Sequence, residues 1–151
     1  MRTYLVVIDD SAESALAQRF AGRRASRTGG NVHLLLVTDK PAFVAWGGVQ
    51  ATIEAEAREK GEAVAAHAAA QLAEAFGITP RVTVRQGDAA AIVKSLIAED
   101  GEIAALVLGM AASGAPGPLV AHFTGHDAGQ LPVPVMLVPG DLSDAEIDRL
   151  S

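Results

Sequence analysis

The sequence predicts a single α/β domain over residues 1–151, built on a parallel sheet with helices on both faces. Three observations lead there. Short apolar, β-branched runs alternate with helix-length amphipathic stretches along the whole chain. Such alternation calls for parallel strands joined by right-handed crossovers. The length of 151 residues suits one core, since chains of this size bury roughly 70% of their unfolded surface. Finally, Ile103-Ala104-Ala105-Leu106-Val107-Leu108-Gly109-Met110 is continuously apolar, as a strand buried on both faces must be. It runs into the glycine-rich turn Ala111–Pro118, which is either an ordinary loop or a cradle for an anion.

Composition narrows the function. Half of the residues are hydrophobic but only 4% are aromatic, so the core is aliphatic. A net charge of −6 leaves no basic stripe for nucleic acid. The absence of cysteine excludes disulfides, thiolate metal sites and thiol nucleophiles. No apolar run approaches the roughly 18 residues that span a bilayer, and no basic-then-apolar leader precedes the first strand. The expectation is a cytoplasmic protein that engages neither membrane nor nucleic acid.

In chain order, Thr3–Ile8 reads as a buried strand leading to Asp9-Asp10-Ser11, with Asp10 or Ser11 capping a helix from about Ala12 to Ser26. Ala12, Ala15, Leu16, Arg19 and Phe20 form its expected inner stripe. Arg19, Arg23, Arg24 and Arg27 crowd its end, either as a solvated helix terminus or as a basic patch. Val32–Val37 is the second strand, and 38–48 a loop holding Pro41 and the lone Trp46, which either caps the core or lids a site. A long helix runs from about Val49 to Phe76 and stops at Gly77. Ile53, Ala57, Val64, Ala68, Leu72 and Phe76 share one of its faces. Gly61 interrupts it at a cost of about 1 kcal/mol relative to alanine.

Arg81–Arg85 alternates polar and apolar, as an edge strand does. Gly87-Asp88 turns into a helix buried through Ile92, Val93, Leu96 and Ile97. After the strand at 104–108, a helix is expected to run to about Gly129. Val133–Val138 closes the sheet, with Pro132 and Pro134 placing it at an edge or at a special pairing. Ser143-Asp144-Ala145-Glu146 is a capping box that opens a short helix at about 143–150.

These residues resemble the universal stress protein family over nearly the whole chain. Val7-Ile8-Asp9-Asp10-Ser11 is similar to the family's opening hydrophobic-Asp-x-Ser, and Gly87-Asp88 to the exit of its third strand. Leu106–Gly109 with the glycine-rich turn resembles its nucleotide loop, and Pro134–Val138 its closing strand. The resemblance implies a Rossmann-like, adenine nucleotide alpha hydrolase-like sheet in the order 3-2-1-4-5, and a homodimer through the last strand, Val133–Val138. It also implies a crevice for ATP or another adenine nucleotide at the reversal of strand order. Carried over, contact roles fall on Asp9, Val37 and Gly109; Ser113, Gly114, Gly117 and His122, in and after the turn, are further candidate nucleotide contacts. The loop departs from the family's G-x-x-G-x9-G-[S/T] pattern. Ala121-His122 stands where Gly-Ser is expected, and Ala89 replaces a proline. Gly114, Gly117 and His122 can shape a different anion cradle. The alternative is a dimeric interaction module that takes no nucleotide.

Rival chemistries are thin. His122 and His126 share a helix face at metal-binding spacing but have no assured third ligand. Ser113 lacks the first glycine of a nucleophile elbow. Asp9 and Asp10 either hold Mg²⁺ beside a triphosphate or cap the first helix. No catalytic residue is assigned, and a slow ATPase would need a water-positioning base that the sequence does not identify.

Overall fold

The computed structural model of the chain describes residues 1–39, 47–125 and 127–151, with backbone alone at 47, 48 and 50. Trp46, Pro41 and His126 lie outside the described residues. The strands are β1 (Thr3–Ile8), β2 (Asn31–Thr38), β3 (Arg81–Gln86), β4 (Ile103–Met110) and β5 (Val135–Pro139). The helices are α1 (Ala12–Thr28), α2 (Gly47–Phe76), α3 (Ala89–Glu99), α4 (Pro118–Thr124) and α5 (Asp144–Leu150). The strands form one parallel sheet in the order β3-β2-β1-β4-β5. Thus β1 lies at the centre, and β3 and β5 are edges.

The two-residue period of the strands sorts the core into two layers. Tyr4, Val6 and Ile8 of β1 join Leu34, Leu36, Ala105 and Val107 beneath α1, α2 and α5. Leu5, Leu35, Leu106 and Leu108 pack instead against Val93, Leu96 and Ile97 of α3 and Val120 and Phe123 of α4.

Several local expectations shift. α1 buries Ser14, Ala17, Gln18, Ala21, Gly22 and Ala25, not the stripe through Ala12, Ala15 and Leu16. It packs against the sheet, α2 and α5 together, so its small residues face inward and allow close approach. A Cβ at Gly22 would sit 2.5 Å from Leu72 and 2.8 Å from Phe76 of α2. Gly61 does the same for α2, where a Cβ would come within 2.8 Å of Leu36. Among its described residues α2 is deeply buried only at Gly61, Ala65, Ala68 and Leu72, while Ile53 is exposed. α4 ends at Thr124, short of Gly129, and β5 begins at Val135 after its prolines. Pro134 still serves the sheet, because its carbonyl accepts the Leu106 N–H at 2.9 Å.

Three of the four arginines of α1 tie it to the C-terminal segment. Arg19 makes two 2.8 Å hydrogen bonds to the Asp148 carboxylate, Arg23 donates to the Asp148 carbonyl and Arg27 to the Ser151 carbonyl. The Arg19 guanidinium holds the Asp148 carboxyl below its usual range, although partial burial opposes this. The predicted capping box is present, with Ser143 and Glu146 exchanging hydrogen bonds. Among the described residues no helix is long and apolar enough to cross a membrane.

His33 is the polar exception in β2. It is buried, and its Nε2 lies 2.7 Å from the Thr83 hydroxyl, while Nδ1 has no hydrogen-bond partner. Burial, aided by the Arg81 charge, pushes its pKa below the ordinary 6.5. The folded state therefore resists a proton that the unfolded chain accepts. Stability present above pH 6.5 is lost as pH falls toward the depressed folded value. Urea midpoints should fall between about pH 8 and pH 5, and fall less steeply in His33→Leu. Equal slopes would show that His33 contributes nothing to the pH dependence.

Candidate functional site

All five strands end at the same edge, and there β1 separates two chain directions: toward β2 and β3 on one side, toward β4 and β5 on the other. The connections diverge from this switch point and leave a crevice. In this chain it is a cleft of about 520 Å³, within the roughly 300–1,000 Å³ range of small-molecule sites. Its walls are the ends of β1, β2 and β4 and the first turns of α1, α3 and α4.

Each wall has a local cause. After β1, the Asp9 carboxylate accepts the Ser11 N–H at 2.7 Å, and the Asp9 N–H donates to Ser14 Oγ at 2.9 Å. Ser11 in turn caps α1 by accepting the Ser14 N–H. This interlocked turn holds Asp9 at the rim, exposed to solvent. After β3, Asp88 caps α3 by accepting the Ala91 N–H at 3.0 Å, and the Gly87 N–H donates to the Thr38 carbonyl of β2. After β4, a Cβ at Gly109 would collide with the Glu13 carbonyl of α1. Only glycine lets the end of β4 pass so near the α1 backbone. Gly117 caps α4 without a side-chain hydrogen bond, and Pro118 follows at the first helical turn.

Of the residues expected from sequence, the cleft gathers Asp9, Val37, Gly109 and Gly117. Ser113 and Gly114 are exposed in the turn and lie outside its lining, with Gly114 at a φ of 83°. His122 is held elsewhere. Its Nε2 lies 2.6 Å from Asp127 Oδ2, which Lys94 of α3 also contacts, and its ring meets Phe123 edge-on. The Lys94 ammonium holds the buried Asp127 carboxyl below its usual range, with His122 assisting against the cost of burial. Asp127 therefore fastens the segment after α4 back to His122 of α4 and across to Lys94 of α3.

Sequence reasoning missed three carboxylates as lining: Glu13, Asp39 and Asp88. Helix-start positions directly after strands were the available signal, since at a switch point those residues face the crevice. A second groove of about 460 Å³ shares Asp9, Val37 and Asp39 and continues along α2, where it also touches Asp10 and Lys60. Among the described residues no three metal-ligating side chains are grouped to hold a cation.

The family model described as the universal stress protein family matches residues 1–139. The chain belongs to that family. No curated protein matches it in sequence. Among solved structures it is similar to the universal stress protein UspA from Lactobacillus plantarum, with a TM-score of 0.76 at 18% identity, covering 91% of this chain and 97% of that one. It is also similar to a universal stress protein in complex with cAMP, with a TM-score of 0.63 at 18% identity, covering 91% and 95%. A third is a universal stress protein family protein from Arabidopsis thaliana with AMP bound, with a TM-score of 0.61 at 12% identity, covering 92% of each chain. At these identities the likeness is one of fold.

The glycines of the cleft should separate in their tolerance of a methyl group. Gly109→Ala is expected to cost about 2 kcal/mol, because the strain is against backbone that has no room to move. Gly117→Ala, with φ of −61° and nothing within 4 Å of the added atom, should cost less than about 1 kcal/mol. Urea unfolding of both variants checks the contrast, and equal costs would remove the close-approach explanation.

Proposed function

We propose that this chain is a regulatory or stress-response member of the universal stress protein family that binds an adenine nucleotide in the cleft. The observation that carries the reading is the cleft itself, roomy and open at the ends of β1 and β4, with Asp9, Val37, Gly109 and Gly117 on its walls. Support comes from the family membership and from the similar folds found with cAMP and with AMP. Mg²⁺ enters this reading only as the companion of a triphosphate, and no catalytic step belongs to it. The proposed setting is the cytoplasm.

A second reading, a dimeric interaction module that takes no nucleotide, is favoured by one observation. His122 is engaged with Asp127, and neither it, Ser113 nor Gly114 lines the cleft. Both readings include a homodimer through the last strand. β5 pairs with β4 along one side only, and Val135, Met136 and Leu137 are half-buried. Unpaired strand edges of this kind invite a second strand.

Isothermal titration with ATP, ADP, AMP and cAMP, with and without Mg²⁺, tests the first reading. Heat from at least one nucleotide at a stoichiometry near one is expected, and silence at millimolar concentration leaves only the module. Light scattering at micromolar concentration should give about twice the 15.5 kDa chain mass, and a monomer mass would contradict the dimer.

A further inference from the structure

The charge of the cleft bears on which ligand it takes. Asp9, Glu13, Asp39 and Asp88 are the charged residues of its lining, all four acidic, and no described lining residue is Lys, Arg or His. The adjoining groove adds Asp10 and one cation, Lys60. The sequence of the segment outside the described residues, 40–46, carries a single charged residue, Lys40, which offsets one carboxylate at most. Helix N-termini do not reverse the balance. The first turns of α1, α3 and α4 line the cleft, and at roughly half a positive charge each they fall well short of four negative ones. Two of those three termini are, moreover, already capped by Ser11 and Asp88.

From this arrangement, and resting on the nucleotide reading above, we infer that the cleft selects by charge: it takes neutral adenosine or the singly charged cyclic monophosphate in preference to AMP, and rejects metal-free ATP. The base and ribose are common to all four, so the discrimination comes from phosphate meeting carboxylate. Like charges held within a few ångströms repel, and because Asp9, Asp39 and Asp88 are exposed, added salt screens that repulsion effectively. Each further negative charge on the ligand should weaken binding roughly threefold or more at low ionic strength.

The experiment uses the whole chain in EDTA, titrated calorimetrically with adenosine, cAMP, AMP and ATP at low and at high salt. Affinity is expected to fall in that order at low salt, and the spread to narrow as salt rises. The variant Glu13→Gln/Asp39→Asn removes the two lining carboxylates that take no part in the turn after β1 or in the cap of α3. It should tighten ATP about tenfold relative to adenosine, and its circular dichroism should match the parent's. ATP binding as tightly as adenosine in the parent at low salt, or a variant that leaves the spread unchanged, overturns charge selection and leaves the nucleotide reading intact. Silence from all four ligands overturns both.

Discussion

Because β1 pairs in parallel with β2 on one side and β4 on the other, the chain must leave its carboxyl end toward two opposite halves of the sheet. The connections on the two sides diverge there, and the cleft is a consequence of topology before any side chain is chosen. The floor depends on how near α1 lies to the end of β4. That separation is set by the missing side chain at Gly109, where a Cβ would strike the Glu13 carbonyl, and Gly140 repeats the device next door against Met110 and Ala112. Glycine therefore acts here first as a spacer between backbones, which is a structural role that any ligand contact would share.

The same economy of volume runs through α1. A helix wedged between sheet, α2 and α5 cannot carry large side chains inward, so Ala17, Ala21 and Ala25 form its buried face and Gly22 receives Leu72 and Phe76. Its arginines lie beside α5, where Arg19, Arg23 and Arg27 bind the last turn of the chain. The paired hydrogen bonds from Arg19 to Asp148 have the geometry in which a partly exposed ion pair contributes, unlike a lone contact between flexible side chains. α1 is thereby held from both ends: by the Asp9–Ser11–Ser14 turn at the cleft and by α5 at the far side.

What the sequence revealed follows from which signals are local. Strand runs such as Leu34–Val37 and caps such as Ser143 with Glu146 depend on neighbours in the chain, and they stand where expected. The inner face of α1 was only partly legible: Leu16 and Phe20 of the expected stripe pack against the core, but the deepest positions are Ala17, Ala21 and Ala25, and alanine is silent in a hydrophobic pattern. The end of α4 was hidden for a similar reason, since Gly125 breaks the helix where the pattern alone continues to Gly129. In the site, Asp9 and Gly109 could be placed from strand ends at the reversal, whereas His122 could not, because α4 ends at Thr124 and the chain then turns Asp127 back onto it, where Lys94 of α3 joins from 33 residues away.

The hydrogen bonds at the cleft also explain why an acidic lining is tolerated. A carboxylate near a helix N-terminus is stabilised by the N–H groups it accepts from and by the aligned peptide dipoles. Asp88 accepts the Ala91 N–H, Asp9 accepts the Ser11 N–H, and Glu13 lies in the first turn of α1. Each thus has a reason to be there that owes nothing to a ligand. In α1 and α3 these contacts engage first-turn donors, whereas α4, which follows the glycine-rich turn, begins without a side-chain cap. Within the proposed reading, a phosphate at the α1 or α3 rim meets a carboxylate already in place, while a ribose hydroxyl could donate to that same carboxylate and keep the cap intact.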